Sequence, residues 1–425
     1  MWHHTLERRQ FLKTSLQGAA VGLASSNLIL PAQGFASEAP NRRDFSSELP
    51  KMVIALNVKT FGTLVPQGLA ALLAQYPHLS LPVEASKPLP PAQAQARFGS
   101  FPGAAGLIKL QTDSAVAKIQ AHLFRPRLVK LYREGRAYPV RADGSFYEIR
   151  YWSYRVEASV LSGSPEELWF AVRGGYLSPA SLRGDALLVH EFIPQAHSVS
   201  ATEGHKGSSG HGSHASSMED SIRRRQAWIY QSGSRRVRRA PDLAYDAVSD
   251  GSEGMITADQ VDGFNGAMDR YDWVDLGEAE RLIAYNMLEG SKARGSADDL
   301  LGRGSLKGSA FRLERHRVHE VEARLRPGQR HIYARRTFLI DVATQTIVME
   351  EAFDTRGGLW RVALHGLAFN EVLGCAQTRV SVYHDLLSGG YFVTGLDPES
   401  GPVFETHRTA RWIDFQPDAL RRQGR

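Results

Sequence analysis

Between residues 311 and 397 apolar and polar positions alternate with the two-residue period of a strand. In Arg317 to Arg326 the odd positions His319, Val321, Ala323 and Leu325 are mostly apolar. The even positions Glu320, Glu322, Arg324 and Arg326 are charged. A strand points successive side chains to opposite faces, so this segment predicts one dry and one wet face. Arg326-Pro327-Gly328-Gln329 puts Pro and Gly where a type II turn requires them. The pattern continues through 331–341, 346–354, 359–365, 379–387 and 391–396, with glycine-containing turns at 355–358 and 388–390. Strands joined by such short turns are antiparallel neighbours. The prediction is a meander, which excludes the βαβ chain of a dinucleotide-binding fold. Further strands are expected at 147–156, 168–172 and 186–189.

The period differs upstream. Leu64, Leu69, Leu72, Leu73 and Tyr76 approach helical spacing, and Pro77, Pro82, Pro88, Pro90 and Pro91 end that run. Ala115 to Leu123 predicts a second short helix. At the N-terminus Glu7-Arg8-Arg9-Gln10-Phe11-Leu12-Lys13 matches a twin-arginine consensus. A weakly apolar Ala/Gly/Ser-rich stretch follows, with small residues at Gly34 and Ala36. Paired cations, a short apolar run and a small-residue cleavage site, in that order, mark a secretory signal. Cleavage before Ser37 and a periplasmic workplace are therefore expected.

Composition narrows the classes. Hydrophobic residues at 42% and charged residues at 23% are ordinary for a globular chain, so general disorder is excluded. The single cysteine, Cys375, excludes an internal disulfide and cysteine-based zinc or iron–sulfur centres. A net charge of +6 is too mild to point to nucleic acid. The expected organisation is a signal peptide at 1–36, a helical and Pro-rich segment at 37–110, and a β domain at 111–425. Inside that domain, 197–220 is rich in His, Gly and Ser and predicts a solvated loop.

A set of short motifs adds to this. Arg235-Arg236-Val237-Arg238-Arg239-Ala240-Pro241, Tyr245-Asp246 and Ser249-Asp250-Gly251 form one block. Asp262-Gly263-Phe264-Asn265-Gly266 leads to Asp269-Arg270-Tyr271-Asp272-Trp273 and Tyr285-Asn286. Then come His316-Arg317-Val318, Arg330-His331-Ile332-Tyr333, Asp354-Thr355-Arg356-Gly357, Leu359-Trp360-Arg361-Val362 and Thr394-Gly395-Leu396-Asp397. Over about 225–397 the chain resembles the bacterial domain of unknown function 1329 family, whose members are often labelled outer-membrane lipoprotein-sorting proteins. The match is weaker over 55–83 and poor over 84–220. The resemblance implies a mainly β, half-open antiparallel barrel, lipoprotein-carrier-like, with helices on its concave face. It also implies an envelope setting beside hydrophobe exporters of the resistance–nodulation–division type. It carries no catalytic residue and no cofactor.

The remaining chemistry-bearing residues have plainer readings. His190, His197, His205, His211 and His214 lie in or beside the loop, but no carboxylate stands at a fixed ligand offset, so no metal site is expected. Seven arginines in 223–239, among them Arg235, Arg236, Arg238 and Arg239, precede the acid-rich segment 242–280. Pairing of the two runs is the plain expectation, and recognition of an anionic headgroup or a partner by these four arginines is the sharper one. Asp259, Asp262 and Asn265 suggest a calcium loop, but Arg270 stands where a bidentate glutamate is required. Neither a Gly-x-Ser-x-Gly elbow, a phosphate loop nor a His-Glu-x-x-His motif occurs. The expected function is a periplasmic, non-enzymatic carrier or adaptor for an apolar or lipid-like molecule, peripheral to the membrane at most. A periplasmic hydrolase with a site assembled from separate strands is the alternative. Val321, Leu325, Phe338, Trp360 and Val362 are the expected cavity residues.

Replacing Arg8 and Arg9 together with Lys is expected to leave an uncleaved precursor in the cytoplasm. Cell fractionation with mass analysis checks it, and normal periplasmic accumulation would refute the export assignment.

Overall fold

The computed structural model describes residues 54–55, 57–87, 89, 114–125, 127–193, 225–287, 295–310, 312–370, 375–401 and 404–423. The export segment with Arg8 and Arg9, most of 88–113, and the histidine-rich loop with His197, His205, His211 and His214 lie outside the described residues.

Among the described residues sixteen strands form one sheet. In chain order they are β1 (Ile54–Ala55), β2 (Pro82–Val83), β3 (Lys130–Val140), β4 (Ile149–Glu157), β5 (Leu168–Ser178), β6 (Ala186–Phe192), β7 (Arg225–Gln231) and β8 (Arg236–Arg239). There follow β9 (Tyr271–Ala284), β10 (Leu313–Leu325), β11 (Arg335–Asp341), β12 (Thr346–Phe353), β13 (Leu359–Asn370), β14 (Cys375–Asp385), β15 (Tyr391–Leu396) and β16 (Phe404–Glu405). The helices are α1 (Val58–Phe61), α2 (Gln67–Gln75), α3 (Ala115–Phe124), α4 (Ala297–Leu300) and α5 (Pro417–Gln423).

The expected meander is present. β10 to β15 pair in sequence order, each antiparallel to the next. β15 then pairs with β3, and β3 to β8 form a second meander on the same sheet. Among the described residues β9 and β8 are the long free ends and do not pair with each other, so the sheet is open rather than closed into a barrel.

Among the strands the sequence pattern missed, β3 and β9 are the longest. β3 sits near the centre of the sheet, yet it carries Arg133, Glu134 and Arg136. Both arginines are buried and find backbone carbonyls: Arg136 Nε donates to Asp397 O at 2.6 Å and Arg133 Nη2 to Gly395 O at 3.2 Å. A buried charge supplied with partners by distant chain breaks the local alternation. β9 was hidden in the acid-rich run 242–280. Its exposed face carries Asp272 and Glu278, which pair with Arg326 and Arg317 in and just beyond β10.

Helices cover both faces, which corrects the expectation of helices on one. α2 lies on one face, with Leu69 and Leu72 fully buried in a cluster that includes Val318, Leu339, Met349, Val362 and Leu364. α3 lies on the other, with Ile119 packed among Val321, Ala323, Phe338, Ile340 and Ile347. The segment between β8 and β9 crosses that second face. Asp262 and Gly263 there both have positive φ, 61° and 84°. A Cβ on Gly263 would lie 2.8 Å from Ile347 Cβ, so glycine is needed for both conformation and approach.

Parity decides which side each cavity candidate takes. One row of paired residues runs Val321, Phe338, Glu350, Ala363, Tyr383, Phe392. The adjacent row runs Glu322, Thr337, Glu351, Val362, His384, Tyr391 and faces the opposite way. Aspartate at Val321 or Val362 is expected to cost several kcal/mol and abolish cooperative unfolding, because each is sealed under a different helix. Leu325→Asp, at a partly buried position, is expected to stay folded. Thermal melts followed by circular dichroism check the contrast.

Candidate functional site

The five expected cavity residues do not share a cavity. Val321 and Phe338 are fully buried beneath α3, and Leu325 packs at the margin of that cluster. Val362 is fully buried beneath α2 on the other side of the sheet. Trp360 is partly buried, with its Nε1 donating to Asp385 Oδ2 at 3.1 Å and its ring 5.7 Å from that of Tyr333. The sequence placed all five on one dry face because each segment alternates. It did not contain the register that sets one strand's dry face against the next strand's.

The face beneath α3 is also less apolar than expected. Arg336 is fully buried there. Its Nε donates to Glu350 Oε1 and its Nη1 to Asp259 Oδ2, each at 2.6 Å. Thr257 Oγ1 donates to the other oxygen of Asp259 at 2.6 Å, and Gln260 Nε2 donates to Glu350 Oε2 at 3.0 Å. Tyr333 joins through its hydroxyl, donating to Gln260 Oε1 at 2.9 Å and accepting from Arg361 Nη1 at 2.7 Å. Burial alone would raise the Asp259 carboxyl, but Arg336 and His331 outweigh it and hold the group well below the usual carboxylate range. These charges are bound to one another, an arrangement that holds the crossing segment on the sheet.

A second knot ties α3 to the same segment. Arg125 and Arg127 pair with the two oxygens of Asp262 at 2.5 and 2.8 Å. His122 Nδ1 accepts from Ile347 N at 3.0 Å, which leaves Nε2 to donate to Asp262 O at 2.9 Å. This is the neutral ring, and burial lowers its pKa well below the ordinary histidine value. The Asp259–Asn265 stretch therefore anchors packing rather than calcium. Asn265 accepts from Arg225 through its side-chain oxygen at 2.8 Å and through its carbonyl at 2.6 Å.

Histidine chemistry is likewise absorbed into packing. His190, the described member of the histidine series, is buried on β6 with Nε2 donating to Phe415 O at 2.6 Å and its ring 4.7 Å from that of Trp412. Burial depresses it to about 4. Among the described residues no three His, Cys, Asp or Glu side chains are grouped to hold a metal ion. Cys375 is buried, and burial raises its thiol, so it is not poised as a nucleophile.

Among the described residues the basic and acidic runs meet only in part: the Arg238 charge acts on Asp250, while other acids find partners outside the basic run. Acids of 242–280 take partners elsewhere: Asp259 with Arg336, Asp262 with Arg125, Asp272 with Arg326, and Asp275 with Lys118. Arg225, from the basic run, pairs with Glu191. Arg235, Arg236, Arg238 and Arg239 are exposed on β8 and the turn before it. The acid nearest in effect is Asp250, which feels the Arg238 charge.

Among the described residues a cavity lies elsewhere, and sequence reading missed it. It holds about 520 Å³ and opens to solvent. One wall is the segment after α2, with His78, Leu79, Pro82 and Glu84. The other is the loop after α4, with Arg303, Ser305, Leu306 and Lys307. The walls are locked together because Gly304, at φ 80°, lies over the Tyr76 ring, where a Cβ would come within 2.5 Å. His78 Nε2 meets Arg303 O at 3.1 Å, and Ser305 Oγ meets His384 Nε2 of β14 at 2.9 Å. Leu306 is buried, whereas His78, Arg303 and Lys307 are exposed at the rim. Glu84 is matched by Arg312 at 3.0 Å. The arrangement is a buried apolar floor at Leu306 with the cations Arg303 and Lys307 at the exposed rim, the Lys307 charge acting on nearby Asp299. The loop residues that line it follow no periodic pattern, which is why the cavity was not legible in the chain.

The Asp250 carboxyl is pushed up to about 7, first by burial and then by the neighbouring Asp185 charge. A folded-state pKa above the unfolded value means that the native state loses stability as pH rises from about 4 to 7. Asp250→Asn is therefore expected to stabilise the protein by about 1–3 kcal/mol at pH 8 and hardly at pH 4. Arg336→Met is expected to cost about 3–5 kcal/mol by stranding two buried carboxylates. Denaturant titrations at the two pH values check both.

The chain is similar to several known proteins. The family described as a protein of unknown function, DUF1329, matches residues 207–421. An uncharacterized protein of Pseudomonas aeruginosa is 29% identical over 426 residues, covering 95% of this chain and 87% of that one. A solved DUF1329 protein from Desulfovibrio piger aligns over 76% of this chain and 100% of its own, with 14% identity and a TM-score of 0.44. A putative outer membrane lipoprotein-sorting protein domain from Vibrio parahaemolyticus aligns over 69% and 91%, with 12% identity and a TM-score of 0.42.

Proposed function

The chain belongs to the DUF1329 family, and on that premise we propose that it is a non-enzymatic carrier of an amphiphilic, lipid-like molecule in the cell envelope. One observation carries the reading, the 520 Å³ cavity with its apolar floor and cationic rim. That volume falls within the few hundred to about a thousand cubic ångströms of ordinary ligand sites. Leu79, Pro82 and Leu306 offer surface to an acyl segment, while His78, Arg303 and Lys307 favour an anionic head at the mouth. The cargo sits on the α2 side of the sheet, so the buried ion network on the other side has no part in binding it.

Periplasmic delivery by the twin-arginine route belongs to this proposal, as does transfer of the cargo to an envelope exporter of the resistance–nodulation–division type. A carrier needs both a compartment and a recipient. The hydrolase alternative lacks a comparable observation, since the buried acids and histidines described above are engaged with structural partners.

The test is titration of a fluorescent fatty acid against native protein and two variants. The triple variant His78→Glu, Arg303→Glu, Lys307→Glu changes only exposed side chains and is expected to weaken binding at least tenfold with an unchanged melting temperature. Leu79→Asp is expected to weaken it similarly. Native protein that never binds the probe, or variants that bind like native, would refute the carrier reading.

A further inference from the structure

The four arginines at the end of the sheet have a geometry that edge protection alone does not explain. β8 is the terminal strand, paired only with β7 among the described residues. Arg236 and Arg238 stand opposite Gln231 and Ile229, and Arg239 stands opposite Trp228, with its guanidinium 5.9 Å from that ring's centre. Alternation therefore sends the charges to both sides of the edge. Arg235 adds a fourth from the turn. Among the described residues no carboxylate pairs with Arg235, Arg236 or Arg239.

The C-terminal helix extends the same surface. α5 packs against β6, β7 and β8. Its Leu420 is fully buried, while Arg421 and Arg422 are exposed. Arg422 Nη2 lies 3.4 Å from Ile413 O, and the Ile413 side chain is 58% exposed. Asp242 and Asp418 are exposed acids near in sequence, and Arg238 is set against Asp250, which leaves arginines in excess along this surface. The result is a basic ridge with one protruding aliphatic side chain and a partly buried Trp228 at its base.

We propose that this ridge, formed by β8, its preceding turn and α5, docks the protein onto an anionic phospholipid surface. Guanidiniums bind phosphate through paired donors, and several cations on one edge reach a charged plane together. Ile413 is placed to enter the boundary between headgroups and acyl chains. Each arginine near such a surface is worth about fivefold in affinity, and the attraction fades within the Debye length as salt is added. The ridge is independent of the cavity, whose residues come from 78–84 and 302–308.

The plainer role, blocking edge-to-edge sheet association, needs charge of either sign. Membrane docking needs positive charge. The triple variant Arg235→Glu, Arg236→Glu, Arg239→Glu separates the two, and Arg238 is left in place because it faces Asp250. The full chain is mixed with vesicles of pure phosphatidylcholine or with 30% phosphatidylglycerol, as a chosen composition of about that fraction, and floated on a density gradient. Native protein is expected to float only with the anionic vesicles and to lose at least tenfold in partitioning between low and high salt. The Glu variant is expected to lose at least tenfold at low salt while staying monomeric and binding the fatty-acid probe normally. The Lys variant at the same positions is expected to keep most of the binding. No flotation of native protein, equal flotation with both vesicles, or a Glu variant that floats like native would overturn the proposal. Loss of probe binding without loss of flotation would count against the carrier reading alone.

Discussion

An arginine shut away from water must find its counter-charges inside the protein, and Arg336 governs this fold in that way. It stands on β11 and reaches Glu350 on the neighbouring strand and Asp259 on the segment crossing above. Breaking either contact would strand a buried charge, at a cost comparable to a large part of a domain's net stability. The crossing segment is therefore fixed to the sheet by electrostatics, and its apolar residues follow. In the same segment Phe264 packs on Phe338, and Asp262 meets Arg125 and Arg127.

That clamp divides the molecule by function. The face under α3 and the crossing segment is closed, filled by the ion network and by aromatic rings. The other face is covered by α2 and a loop, which leave a cavity where they meet. An open sheet has two faces to cover and two ends to protect. Here one face is sealed, one is left partly accessible, and the β8 end carries a ridge of arginines. On the two proposals above, cargo and surface contact would use separate places and leave the packed interior undisturbed.

The buried histidines show how composition misleads. His122, His190, His365 and His384 are nearly or fully inaccessible to water. Burial lowers the pKa of each, so they behave as neutral, shape-fitting rings with hydrogen bonds to fixed partners. A count of histidines suggests metal or acid–base chemistry. Their surroundings assign these four to packing, and no pattern of spacing distinguishes the two roles.

Local order was legible in the chain. The meander from β10 to β15 follows from alternation and from turns such as Pro327-Gly328, since both depend on residues only a few positions apart. The helices α2 and α3 were readable for the same reason. The residue motifs of the second half also marked the family. Tertiary structure alone decided the rest, because it rests on register and on contacts between distant segments. Register put Val362 in a row with Glu322 rather than Val321, and so divided the expected cavity lining between two faces. Carbonyls more than 250 residues away allowed Arg133 and Arg136 to be buried in the central strand β3, where sequence reading sees only charge. The cavity itself comes from two loops, 78–84 and 302–308, brought together by packing over Gly304. A period of two fixes which side chains share a face of one strand, but only the folded sheet fixes which faces meet.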